Sequence, residues 1–84
     1  MGSNNLDFLK PTTITEAFAQ LESLEKGQAM VLCSTDPRAA ITKGRAMDLL
    51  YTANKMCNAG KIILTSRRAG AYTVNFWETI AMGM

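Results

Sequence analysis

Histidine is absent from the 84 residues, which excludes every mechanism built on an imidazole: serine or cysteine triads with a histidine base, and histidine-ligated zinc or haem. Cysteine is scarce. Cys33 and Cys57 are the only thiols, stand 23 residues apart and belong to no CxxC pair, so neither a four-thiolate zinc site nor a redox motif can be written. Both follow apolar neighbours, Met30-Val31-Leu32 and Met56, where a free thiol behaves as a small buried hydrophobe. Reduced core positions and a cytoplasmic compartment are expected. No apolar stretch approaches the ~20 residues of a membrane span, and Met1-Gly2-Ser3-Asn4-Asn5 has neither the basic region nor the apolar core of a secretory signal. Membrane insertion and secretion are therefore not expected. Asp36, Asp48 and Glu78 are too scattered to form a general acid/base pair or a metal-ligand cluster, so a non-enzymatic protein without cofactor or metal is expected.

A chain this short buries only about 60% of the surface its unfolded form exposes, enough for one modest core that a second copy often completes. Small size and an apolar end suggest a homodimer. The net charge is +2 and unevenly spread: residues 1–35 carry two basic against four acidic groups, and residues 36–84 carry seven against three. The first part is thus at −2 and the second at +4, an asymmetry that favours a polyanionic partner over ordinary solvated charge.

Residues 1–12 read as a flexible or tag-like lead-in to a single domain over 13–80, with 81–84 as a tail. Thr13-Ile14-Thr15-Glu16 is a capping box: the Thr13 hydroxyl caps while Glu16 reaches back to an amide of the cap. Ile14, Ala17, Phe18, Leu21 and Leu24 then form one helical stripe, with Lys26-Gly27 as the stop. Ala29-Met30-Val31-Leu32-Cys33 suits a buried strand. Asp36-Pro37 predicts a cap and first helical position, hence a short helix over 37–42, a turn at Lys43-Gly44 and a longer helix over 45–58. In that longer helix Ala46, Leu49, Leu50, Ala53, Met56 and Cys57 share one face, and Gly60 is the expected stop. Residues 61–66 and 71–77 are β-rich, joined by Arg67-Arg68-Ala69-Gly70 as a hairpin loop whose tip carries two guanidinium groups. Ile80 to Met84 is apolar without a period.

The predicted order is an α+β one: helix, strand, helix, helix, β-hairpin. Over Asn58 to Val74, where Asn58-Ala59-Gly60-Lys61-Ile62 ends a helix and Arg67-Arg68-Ala69-Gly70-Ala71-Tyr72 forms a basic ribbon, the chain resembles the winged helix-turn-helix family. That resemblance implies a small DNA-binding transcriptional regulator using a recognition helix and a wing. A second likeness is carried by Lys10-Pro11 before a helix, a hydrophobic strand, Lys43-Gly44-Arg45-Ala46 opening another helix, and a closing hairpin. On those features the chain is similar to the archaeal Alba chromatin proteins and their α/β relatives, with Ser34 to Thr42 as an insertion. Both resemblances imply nucleic acid, DNA before RNA.

The residues themselves support the same partner. Arg67 and Arg68 at a narrow tip can enter a minor groove or straddle a backbone. Lys43 and Arg45, with the amides opening the helix, offer a phosphate site. Asn54 can read an adenine edge, and Lys55 and Lys61 add cations along the same side. Each has a plainer alternative: basic tips also block edge-to-edge pairing, Lys43-Gly44-Arg45 also serves as a soluble turn, and Asn54 also serves facing water. Tyr72, Phe76 and Trp77 could stack on single-stranded bases or fill a core. The rival class is a protein-binding inhibitor or adaptor, presenting the acidic Glu16, Gln20, Glu22 and Glu25 face or the apolar hairpin and tail.

Overall fold

The computed structural model describes residues 8–68 and 76–84. In chain order they form β1 (Phe8–Leu9), α1 (Ile14–Glu22), β2 (Ala29–Ser34), a 3-10 turn (Lys43–Arg45), α2 (Met47–Asn58), β3 (Ile62–Arg68) and β4 (Trp77–Gly83). The result is a small α+β domain with a four-stranded mixed sheet in the order β1-β2-β4-β3. β1 runs parallel to β2, and β4 runs antiparallel to both β2 and β3. Three strands therefore point one way, and the last-made strand lies between two of them.

The first helix forms for the reason its sequence gives. Glu16 donates its amide to the Thr13 hydroxyl at 3.1 Å, and the Glu16 carboxylate accepts from the amide of Thr12, one residue before the cap, at 2.8 Å. Replacing Thr13 by Ala is expected to cost about 1 kcal/mol in urea denaturation, the usual value of such a cap; an unchanged midpoint would show that the cap is idle. The helix ends at Glu22, earlier than Lys26-Gly27 suggests: the Ser23 amide and hydroxyl both donate to the Ala19 carbonyl, and the next amide, of Leu24, donates to Leu21 and so leaves the i→i−4 ladder. Gly27 does adopt a left-handed φ of 86°, but in the following turn, where its amide donates to the Gly83 carbonyl. α2 closes as predicted. Gly60, at φ 79°, donates to the Cys57 carbonyl and Lys61 donates to that of Met56, a Schellman stop.

The helices pack on one face of the sheet around Leu21, Met30, Leu32, Leu49 and Ile62, all essentially solvent-free. Cys33 is buried and Cys57 half-buried, both as free thiols. Ala29 and Ile80 are also closed from solvent, at 0% and 2% exposure, yet stand apart from this core on the other face of the sheet. That face has a cover of its own. The Arg67 guanidinium lies 4.2 Å from the centre of the Phe8 ring and donates to Glu78 at 2.8 Å. Since β2 and β4 stand between β3 and β1, this reach roofs the two central strands.

Four sequence expectations are corrected. Phe8 and Leu9 belong to the sheet and not to a loose lead-in. Residues 37–42 make no helix, so the helix pair of a helix-turn-helix is not formed. Asp36 does cap, accepting from the Arg38 amide at 2.9 Å, but the turn it starts is aborted at once. The Ser34 amide donates to the Ile41 carbonyl and Ser34 bridges Thr42, which demands extended chain there. Arg67 and Arg68 pair within β3 against Glu78 and Trp77, and so are not at a hairpin tip. Finally, the return strand is Trp77–Gly83, so Ile80 to Gly83 is neither a tail nor free to dock on a partner. Ala69, Gly70, Tyr72 and the rest of the predicted loop and 71–75 strand lie outside the described residues, as does the lead-in over 1–7.

Candidate nucleic-acid interface

β1, β2 and β3 are mutually parallel, so the carboxyl ends of β2 and β3 share one edge of the sheet, while the shorter β1 ends beside Met30. Lys10 follows β1, Lys43 and Arg45 follow β2 after the Ser34–Thr42 bridge, and Arg68 ends β3. Trp77, opening β4, stands opposite Arg68 in the ladder. Lys43, Arg45 and Arg68, from separate stretches of chain, thus stand at one end of the sheet, with Lys10 along its flank, level with Val31. All four are exposed, and no described carboxylate pairs with any of them.

Two further cations on this edge are engaged. Arg38 pairs with Asp36 at 3.2 Å, and the guanidinium's side-chain hydrogen bond holds the Asp36 carboxyl below the usual carboxylate range. Arg67 is held by Glu78 and Phe8 as described, with the Glu78 side chain largely covered. A polyanion meeting this edge would compete with Glu78 for Arg67, whereas Arg68 is available at once.

Trp77 is 47% exposed, an unusual position for the only tryptophan of a small chain. Its backbone is fixed on both sides: the amide donates to the Thr35 hydroxyl and the carbonyl accepts from the Thr35 amide, each at 2.9 Å. The Arg68 guanidinium sits 5.6 Å from its ring centre. A rigidly mounted indole beside a guanidinium is a surface on which a planar π-system can stack.

The remaining predicted residues lie elsewhere. α2 runs away from the carboxyl edge, so exposed Asn54 and Lys55 fall in its second half, and Lys61 precedes β3 at the opposite end. Lys55 lies 5.2 Å over the Tyr51 ring, and together with Lys61 these residues line a shallow groove of about 290 Å³. The structure therefore brings together Lys43, Arg45, Arg67 and Arg68, and separates them from Asn54, Lys55 and Lys61. Lys10 was not chosen as a contact from the sequence, and Trp77, for which both stacking and a core position were open, stands exposed. Lys10 carries a local signal, standing just before the cap of α1. The exposure of Trp77 carries none, because its place in the sheet is set by pairing with residues nine and more positions away.

Among the described residues no three His, Cys, Asp or Glu side chains gather as a metal site would require, and no helix is long and apolar enough to cross a membrane. Comparison with family models, curated proteins and solved structures returns no match.

Proposed function

We propose that this chain is a small nucleic-acid-binding protein that engages its partner through the carboxyl edge of the sheet. The observation that carries the reading is the placement of Lys43, Arg45 and Arg68 at the end of the sheet that bears an exposed Trp77, with Lys10 along the flank below. Cations from separate loops on one rim displace counterions from a phosphate backbone, and the indole offers a base somewhere to stack. The resemblance to the Alba proteins supports it: Lys10-Pro11 precedes α1, a buried strand follows, Lys43-Gly44-Arg45-Ala46 leads into α2, and antiparallel β3 and β4 close the fold. The segment to be treated as an insertion, Ser34 to Thr42, is the stretch that loops out and returns to bridge Ser34. The winged-helix resemblance, with α2 as reader and the β3–β4 ribbon as wing, draws less support, since its first helix is missing. A role as a DNA-binding regulator in the cytoplasm belongs to the same proposal.

The test is fluorescence anisotropy with labelled duplex and single-stranded oligonucleotides between about 50 and about 200 mM salt. For four phosphate contacts the slope of log affinity against log salt is expected near about −3.6 on duplex and about −2.8 on a single strand. Arg68→Ala should flatten that slope by about one unit and Arg67→Ala should leave it nearly unchanged, because Arg67 is already neutralised. Binding that ignores salt, or no binding to either oligonucleotide, would overturn the proposal.

A protein partner is the second reading. Met47 and Tyr51, one turn apart on α2, are 67% and 66% exposed, more than an apolar helix surface facing only water needs to be. An apolar contact there, including one between two copies of this chain, would be insensitive to salt.

A further inference from the structure

We propose that a notch in the flank of the sheet, beside β2 and below its carboxyl end, receives an unpaired nucleobase of the bound strand. The inference rests on the nucleic-acid reading above and adds what the site recognises. β2 is paired along one side with β4, but its other side has interrupted neighbours: β1 reaches only Ala29 and Met30, and Thr42 bridges only Ser34. Between them Val31, Leu32 and Cys33 have no strand alongside among the described residues, and they line a pocket of about 190 Å³. Lys10 and Pro11 form one rim, Ala39 to Ile41 the other, and Glu78 lies at the side.

A gap in a ladder leaves main-chain groups of the central strand facing into the pocket, and buried groups of that kind need partners. The hydrogen-bonding rim of a nucleobase alternates donors and acceptors in one plane, as a neighbouring strand does. Its faces are apolar enough to lie between Pro11, Val31 and Ile41, apolar walls of the kind that pockets for flipped bases also use. Lys10, exposed at the mouth, meets the attached phosphate. One oxygen of Glu78 is taken by Arg67; the other is free to accept from an exocyclic amino group, so adenine, cytosine and guanine are favoured over thymine. An extended peptide is the poorer occupant. The gap is three residues long, about 10 Å, and chain closes it at both ends, so a strand could not run through. Bases of an intact duplex are held in the stack, which makes a single strand the preferred target.

The test compares ten-nucleotide strands of deoxyadenosine, deoxycytidine and thymidine with an abasic deoxyribose-phosphate strand of equal length, by anisotropy at fixed salt. The native chain is expected to bind the adenine and cytosine strands about tenfold more tightly than the thymidine one, and the abasic strand most weakly. Ala39→Leu, which fills the notch from its loop rim without removing a cation, is expected to bind the adenine, cytosine and thymidine strands alike with an unchanged salt slope, keeping over the abasic strand only what stacking on Trp77 contributes. Ala40→Leu, at a second position of the same rim, serves if the first variant fails to fold by circular dichroism. Equal binding of base-bearing and abasic strands by the native chain overturns the notch and leaves the cationic edge standing. So does an adenine or cytosine preference that survives in the folded variant, since stacking on Trp77 would then be its source. Failure of every strand to bind overturns the nucleic-acid reading itself.

Discussion

Gly83→Ala is expected to lower the unfolding free energy by about 3 kcal/mol, seen as a fall of at least about 1 M in the urea midpoint. A Cβ on Gly83 would overlap the carbonyl group of Glu25. The turn over Glu25 to Gln28 wraps this glycine closely: the Gly83 amide donates to the Gln28 carbonyl at 2.8 Å, and its carbonyl accepts from Gly27 at 3.1 Å. The obstacle is backbone on both sides, so a side-chain rotation cannot relieve it. Either the end of β4 or the connection from α1 to β2 must shift, and the bonds between them are then lost. For a domain whose total stability is on the order of 5–10 kcal/mol, that is a large share. Gly44→Ala is the control: a Cβ there meets nothing within 4 Å, so its midpoint should move little. If Gly83→Ala unfolds at the native midpoint, β4 does not pass beneath Glu25 and does not occupy the centre of the sheet.

The second large effect is on binding. Replacing Lys10, Lys43, Arg45 and Arg68 together by Ala is expected to weaken nucleic-acid affinity roughly a thousandfold at low salt, at about 1 kcal/mol for each phosphate contact. The salt slope should flatten towards zero with it. These side chains are exposed and pair with no described carboxylate, so the denaturation midpoint should hardly change. Net charge alone could produce part of such a loss. Lys26, Lys55 and Lys61 lie at the other end of the sheet, and their joint replacement should leave most of the affinity intact. Equal losses in the two variants would mean that charge acts without regard to position, and the carboxyl edge would have no special part.

What could be read from the sequence follows the range of the forces involved. The Thr13 cap, the amphipathic face of α2, the Gly60 stop and the buried run at β2 are decided within a few residues of themselves, and each stands where its pattern puts it. β4 is different. Ile80 and Ala81 are adjacent and both buried, one on each face, so the strand shows no alternation and looks like an unstructured apolar end. The regular alternation lies in the 71–77 run, of which only Phe76 and Trp77 are among the described residues and Trp77 opens β4. Asp36-Pro37 is a sound helix start whose continuation was overruled by a bridge to Ser34, a partner that no local pattern reveals. The basic pair at 67–68 was legible as a pair, while the engagement of one member with Phe8 and Glu78 depends on residues 59 and 11 positions away. For the same reason the candidate edge was half legible. Its cations could be counted, but their sharing of a rim follows from the parallel course of three strands.

The placement of β4 also bears on how the chain is made. β2 and β3 touch through β4 and not directly, so when the ribosome has delivered everything up to Arg68 the centre of the sheet is still vacant. Met30, Leu32 and Ile62 must wait in a half-built layer until the final strand slides between their neighbours. Translation that halts shortly before Trp77 would therefore release an aggregation-prone fragment in place of a slightly shortened protein.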